Sequence, residues 1–263
     1  MIRLVLIGFG LWCFVLQLNA QSVEKQDTAV FSQGFEYIAP VKILAEQSSY
    51  SLFEQANIQY GKGNPTGALA LVNKALKEDP NNFEYLLLKA YVLVEIGKYS
   101  DALTTAEQTI LLKPNDWKPI YCRAFCKYAK KDFLGSVVDY STVINMKTDN
   151  SLAYYSRGMA KMELNDYFGA KEDFNLSIML KPTYIEAYHG RGLASYKVQA
   201  FQEAEQDFSS LIVKNPNSGE AFYYRGMCKI GLNELTNACL DFDKAIKMGY
   251  SAAMVEQKKN CGK

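Results

Sequence analysis

Side chains that commonly carry chemistry are few in this sequence of 263 residues. His189 is the only histidine, and no segment contains a nucleophile with a neighbouring base, a metal-ligand spacing or a glycine-rich phosphate loop. Cys122 and Cys126 lie four residues apart, which puts both thiols on one face of a helix. A metal site would need further ligands nearby, so buried apolar filling is the better interpretation of this pair. The sequence therefore predicts a protein that is not an enzyme and has no cofactor and no metal site.

Arginine and aspartate recur at a fixed interval in the second half of the chain. Each arginine is followed by the next after 34 residues, and an aspartate stands sixteen residues after each. Because a guanidinium can bind a carboxylate through two hydrogen bonds, we expect four structural ion pairs, each formed within one period. The pairs are Arg123 with Asp139, Arg157 with Asp173, Arg191 with Asp207, and Arg225 with Asp241.

The same interval of 34 residues organises the small and apolar residues. Six rows fit without insertion or deletion: 49–82, 83–116, 117–150, 151–184, 185–218 and 219–252. The eighth and twentieth positions of every row hold Ala, Gly or Ser. Apolar residues recur at three- and four-residue spacing within each half-row, and turn-forming residues separate the halves near position 15. Each row is therefore predicted to be a pair of antiparallel helices.

This pattern resembles the tetratricopeptide repeat (TPR) family, which has a period of 34 residues, small residues at positions 8 and 20, and proline at position 32. Proline occupies that position in four of the six rows, at Pro80, Pro114, Pro182 and Pro216. The resemblance implies an all-α fold, a right-handed α-solenoid of six 34-residue helix-turn-helix repeats. Residues 253–263 are expected to form a helix that caps the last repeat. The chain departs from the family at position 27, where only Ala75 and Ala245 keep the usual alanine.

The resemblance also implies a binding surface, because positions 2, 5, 9, 12 and 13 of each TPR face a concave groove. In this chain the groove is expected to be rich in Tyr and Met, which suit contacts with another protein. An alternative is that these side chains pack on one another between neighbouring first helices. Apart from Asn57, the groove lacks the Lys/Asn set with which some family members bind a terminal carboxylate. The expected partner-binding residues are Phe53, Tyr60, Tyr91, Tyr121, Phe125, Tyr128, Tyr155, Met159, Met162, His189, Tyr196, Tyr223 and Met227.

One disulfide is expected at the end of the chain. Cys239 lies in the last second helix and Cys261 near the end of the capping helix, and the two are symmetric about a turn near Tyr250. Antiparallel helices bring such positions together, so we predict a Cys239–Cys261 bond. A Cys228–Cys239 bond is the rival pairing.

The first twenty residues resemble a secretory signal peptide. Arg3 precedes an apolar run from Leu4 to Leu18, and cleavage is expected after Ala20. The alternative is an uncleaved N-terminal anchor, which would be the protein's only link to a membrane. Residues 21–48 are expected to lead into the first helix, which Pro40 would open. We therefore expect an exported bacterial protein of the periplasm or outer envelope, or a secreted one.

Overall charge limits the partners. Lys and Arg total 29 and Asp and Glu total 28, with no long run of one sign, which disfavours nucleic acid. The sequence favours a non-catalytic scaffold that binds a peptide or helix in its groove. The alternatives are a structural subunit of an envelope assembly, marked by an exposed apolar patch outside the groove, and a binder of a glycan or small ligand.

Overall fold

The computed structural model describes residues 48–262, and these form thirteen α-helices and no strand. Helices α1 to α12 make six consecutive hairpins that match the six rows of the sequence, and α13 follows the last hairpin. The bounds are α1 Ser48–Gly61, α2 Pro65–Glu78, α3 Phe83–Glu95, α4 Tyr99–Leu112, α5 Trp117–Ala129, α6 Phe133–Met146, α7 Ser151–Glu163, α8 Tyr167–Leu180, α9 Ile185–Lys197, α10 Phe201–Lys214, α11 Gly219–Gly231, α12 Leu235–Lys247 and α13 Ala252–Cys261.

Helix ends follow local sequence chemistry. The Asn64 side chain accepts a hydrogen bond from the Gly67 N–H at 3.0 Å, and Pro65 is the first helical residue of α2. Asp132 and Asp166 cap α6 and α8 in the same way. These caps supply acceptors for N–H groups that have no partner inside the helix.

Each hairpin turns at position 15 of its repeat through a residue with a positive φ angle. Repeats one and two use glycine there, whereas Lys131, Asn165, Gln199 and Asn233 adopt φ values of 60° to 65° in repeats three to six. This left-handed conformation costs most residues with a Cβ about 1–2 kcal/mol, whereas asparagine adopts it more readily. Surrounding packing, rather than the residue at the turn, therefore holds the hairpins of repeats three and five in shape, where Lys131 and Gln199 stand.

Small residues let the helices of a hairpin approach closely. A Cβ added to Gly158 would lie 2.9 Å from the ring of Phe174 in the same repeat. One added to Gly190 in the next repeat would lie 2.6 Å from the same ring. Phe174 is fully buried between these two glycines, so one large side chain joins consecutive repeats.

In repeats one to five, every second helix packs against both its own first helix and the first helix of the next repeat. From α1 to α9, the first helices of successive repeats also approach each other, whereas no two successive second helices among the described residues come as close. The first helices therefore line the shorter, concave face of the stack, and the second helices line the convex face. This is the architecture of an α-solenoid.

Helix α13 packs on α12 at the end of the stack. Ala253 is its only buried residue, whereas Met254 and Val255 are exposed. A disulfide joins Cys239 to Cys261, with the Cα atoms 5.9 Å apart. The structure thus contains the Cys239–Cys261 pairing, and Cys228, the rival partner of Cys239, is a free and buried thiol.

The proposed signal peptide, the segment up to residue 47 and the helix start at Pro40 lie outside the described residues. Among the helices of residues 48–262, none combines the length and the apolar character that a membrane crossing requires.

Candidate protein-binding groove

The structure brings together all eight residues of the arginine and aspartate columns. In each pair, Nε and Nη2 of the arginine donate to the two carboxylate oxygens of the aspartate in the same repeat. The N–O distances lie between 2.6 and 2.9 Å. The aspartate side chains are only 2% to 4% exposed, so these bidentate bonds compensate carboxylates that have lost their water.

The remaining arginine nitrogen connects one repeat to the preceding one. Nη1 of Arg157 donates to the Ser141 hydroxyl at 3.0 Å, and Nη1 of Arg191 donates to the Asn175 side chain at 2.8 Å. Arg225 makes the equivalent bond to Ser209 at 3.2 Å. The ion pairs thus form a ladder that fixes the rotation of each repeat on its neighbour.

In three of the four repeats, a lysine four residues after the arginine forms a second ion pair with the aspartate. Lys127, Lys161 and Lys229 place Nζ 2.7 to 2.8 Å from the aspartate of their own repeat. In repeat five the equivalent residue is Ser195, so Asp207 has Arg191 but no lysine. Burial raises the pKa of Asp207 above its ordinary value, and Arg191 offsets only part of this effect. Sequence reasoning overlooked this lysine column, although its 34-residue spacing was visible.

Of the thirteen expected groove residues, four are buried. Tyr121 is 4% exposed and Tyr155 is 8% exposed. The Tyr121 hydroxyl shares a hydrogen bond of 2.8 Å with Ser156 on the next first helix, and the Tyr155 ring packs against Phe174. These side chains therefore pack between neighbouring helices and do not form an open binding surface. The buried four are Tyr91, Tyr121, Phe125 and Tyr155.

The other nine expected groove residues are partly exposed, and most of them lie in repeats three to six. They form a strip of aromatic and methionine side chains on the first helices, which we call the groove strip. Its members are Phe53, Tyr60, Tyr128, Met159, Met162, His189, Tyr196, Tyr223 and Met227.

His189 and Glu220 connect two neighbouring first helices, α9 and α11. The imidazole Nε2 lies 3.5 Å from Glu220 Oε1, and both side chains are about one-third exposed. Burial would raise the pKa of the Glu220 carboxyl, but the adjacent His189 outweighs that effect and lowers the pKa below its ordinary value.

Sequence reasoning missed several aromatic and acidic side chains at the C-terminal end of the groove. The rings of Tyr224 and Tyr250 both lie 5.1 Å from the ring of Tyr223. The charge of Glu256 on α13 contributes to raising the pKa of Tyr196 and Tyr223. Tyr224 and Tyr250 do not occupy the family's groove positions, and Glu256 lies on the capping helix. Only the fold could have placed them beside the groove.

Cys122 and Cys126 are free and fully buried, as apolar filling requires. Within residues 48–262, no group of three or more His, Cys, Asp or Glu side chains is arranged to hold a metal ion.

Comparison with known proteins agrees with this architecture. The tetratricopeptide repeat family matches residues 59–121 and 152–184. Among solved structures, a tetratricopeptide repeat protein from Parabacteroides merdae ATCC 43184 is 21% identical, covers 81% of this chain and 98% of its own, and has a TM-score of 0.57. No curated protein matches the chain.

Two further solved structures share the fold. YrrB, a TPR protein with an unusual peptide-binding site, is 18% identical and covers 71% of this chain and 97% of its own, with a TM-score of 0.65. PilW, a type IV pilus biogenesis factor, is 15% identical and covers 76% of this chain and 93% of its own, with a TM-score of 0.66.

The chain is a tetratricopeptide repeat protein. Its fold supports a role as a protein–protein interaction scaffold, and proteins of this family are generally not enzymes.

Proposed function

We propose that this protein is an exported, non-catalytic scaffold that binds a peptide or helical segment of another protein in its concave groove. The observation that carries the proposal is the groove strip, which presents partly exposed Tyr and Met side chains on consecutive first helices. Such side chains combine a large contact area with adaptable shape. The same fold carries a peptide-binding site in YrrB.

The test replaces two groove-strip residues, Met162 and Tyr196, with alanine. Tyr121 and Tyr155 are unsuitable targets because their replacement would remove buried packing and lower stability by roughly 3–5 kcal/mol for each ring. In-cell crosslinking of the tagged protein, followed by mass spectrometry, should detect a partner with the native chain and lose it with the double variant.

A matched control replaces Leu111 and Met179, which are 82% and 69% exposed on second helices, with alanine. This variant should keep the partner, because it leaves the concave face unchanged. A partner retained equally by both variants would contradict groove binding.

Export to a bacterial envelope is the second part of the proposal. It rests on the basic start, apolar run and Asn19-Ala20 junction at the N-terminus. The expected result is a protein recovered from the periplasmic or extracellular fraction with Gln21 as its first residue. An intact Met1 in the membrane fraction would favour the uncleaved anchor, and an intact Met1 in the cytoplasm would contradict export.

A structural role in an envelope assembly is the second candidate, because the convex face carries exposed apolar residues. Leu134 and Val138 lie one turn apart on α6, and Phe168 occupies the position of Leu134 in the next repeat, on α8. These three side chains, the convex patch, are 59% to 69% exposed. Exposed apolar clusters of this kind mark interaction sites when they are contiguous.

A further inference from the structure

Four tyrosines and two carboxylates surround the C-terminal end of the groove, and we call them the tyrosine–carboxylate cluster. The Tyr224 ring lies 6.0 Å from the Tyr196 ring and 5.1 Å from the Tyr223 ring, and Tyr250 lies 5.1 Å from Tyr223. All four rings are partly exposed, so they present some of their surface to a ligand. The members are Tyr196, Glu220, Tyr223, Tyr224, Tyr250 and Glu256.

The two carboxylates are partly buried beside these rings. The Glu220 side chain is 33% exposed and the Glu256 side chain is 19% exposed. Asn260 donates to Glu256 Oε2 at 3.0 Å, whereas Lys259 reaches only 4.0 Å from this oxygen and is itself 72% exposed. Water and salt therefore screen the charge of Lys259, and Glu256 keeps most of its negative potential.

The hydroxyl groups of the cluster respond to that potential. Burial and then the charge of Glu256 raise the pKa of Tyr223, whereas burial, then Cys228 and only then Glu256 raise the pKa of Tyr196. Burial and then Glu220 raise the pKa of Tyr250 to about 12. The rings therefore remain neutral at physiological pH, and the Tyr224 ring stacks on Phe208 at 5.4 Å.

Resting on the proposed groove function, we infer that this end of the groove binds a lysine or arginine side chain of the bound segment. A cation over a tyrosine face is attracted by the electron-rich ring, and a nearby carboxylate adds charge complementarity. A carboxylate ligand at the same place would meet repulsion from Glu220 and Glu256. The partner is thus a protein segment with a basic residue next to apolar ones, because Met227 of the groove strip packs against the same core residues as Tyr223 and Tyr250.

The remaining groove charges agree with a basic partner. Glu163 and Glu186 are exposed on α7 and α9, and Lys197 is exposed at the end of α9, next to Tyr196 in the sequence. His189, which faces Glu220, adds positive charge only when it is protonated. Acidic residues therefore outnumber cations at this end of the groove.

The experiment uses the full chain and a peptide array. Amphipathic peptides with Leu and Phe at helical spacing are made in four versions, with Lys, Arg, Gln or Glu at the polar positions. We expect the Lys and Arg versions to bind at least tenfold more tightly than the Gln version, and the Glu version to bind most weakly. Binding of the Lys version should weaken as salt increases, because part of its affinity is electrostatic.

The decisive variant combines Glu220→Gln with Glu256→Gln, which removes both charges at nearly constant shape. Its affinity for the Lys and Arg peptides should fall about tenfold, whereas its affinity for the Gln peptide should not change. The control combines Glu107→Gln with Glu172→Gln on exposed positions of second helices, and it should bind like the native chain.

The outcomes separate this inference from the proposed function. If the Gln and Glu peptides bind as tightly as the basic ones and the Met162/Tyr196 variant abolishes binding, groove binding stands and the cation site is wrong. Basic peptides that bind equally well to the double Gln variant also overturn the cation site. If peptides of all four versions fail to bind, peptide recognition in the groove is itself overturned.

Discussion

Ser195 is the one residue that interrupts the lysine column of repeats three to six. Asp207 is 4% exposed in its side chain and is paired with Arg191, with a smaller contribution from the charge of Lys171, whereas Asp173 in the preceding repeat receives both Arg157 and Lys161. Burial raises the pKa of Asp207 when folded, so the folded chain binds a proton more readily at this site than the unfolded chain. The contribution of Asp207 to stability is therefore greatest at low pH and is lost as pH rises through its folded pKa.

We predict that Ser195→Lys stabilises the protein at neutral pH. The new ammonium group would lie beside the Asp207 carboxylate, as Lys161 lies beside Asp173, and would lower the pKa of Asp207. Each unit of that decrease corresponds to about 1.4 kcal/mol. Denaturant unfolding at pH 7 and NMR titration of the Asp207 carboxyl would measure the two effects.

The reciprocal control is Lys161→Ser, which removes the second cation beside Asp173 and should destabilise repeat four. The Ser195→Lys effect should also shrink at a pH low enough to protonate Asp207. An unchanged Asp207 pKa in the lysine variant would show that a cation at position 195 does not offset the effect of burial.

For single residues, the sequence predicted which arginines and aspartates form ion pairs but not which groove residues are exposed. Arg157 and Asp173 could be paired from sequence because both columns begin in repeat three and keep one separation. By contrast, Tyr155 and Tyr196 look equally suited to the groove, yet Tyr155 is buried against Phe174 while Tyr196 is partly exposed. Exposure depends on the side chains of neighbouring helices, which the family pattern does not specify.

Helix α13 is held by little apolar packing, since Ala253 is its only buried residue. A side-chain hydrogen bond from Gln257 to Asp243 and the Cys239–Cys261 disulfide attach it to α12. The disulfide closes a loop across a sequence separation of 22 residues, and on the chain-entropy model it stabilises the folded protein by about 3 kcal/mol.

We predict that reduction with dithiothreitol loosens α13 first. Amide hydrogen exchange should accelerate in residues 252–261 while α9 and α10 keep their protection. Because α13 carries Glu256, affinity for the basic peptides should fall in parallel. A Cys239→Ser/Cys261→Ser variant should show both changes without reductant and should not respond further to it.

Unchanged exchange in α13 after complete reduction would mean that packing alone holds the helix.

The Cys239–Cys261 pairing could be inferred from sequence because antiparallel helices place residues symmetrically about their turn. Turn-forming residues also predicted the turns inside the hairpins near position 15. The positive φ angles of Lys131 and Gln199 at these turns could not be inferred, since neither residue prefers that conformation.

The whole stack has two faces that the repeat pattern makes different. First helices approach one another on the concave side and carry the groove strip, whereas second helices are spaced more widely and carry the convex patch. In a solenoid each repeat contacts only its neighbours, so a surface change on one face has little effect on the other. Groove binding and convex assembly can therefore be separated by mutation.

We predict that Val138→Glu with Phe168→Glu leaves folding and groove binding unchanged, because both side chains are exposed on second helices. If the convex patch joins this protein to an assembly, the variant should be released from the large complex in native-size fractionation of the cell envelope. The Met162/Tyr196 variant should remain in that complex. If the convex variant stays in the complex and the groove variant leaves it, the groove alone carries the function, and the exposed side chains of the convex patch have no part in assembly.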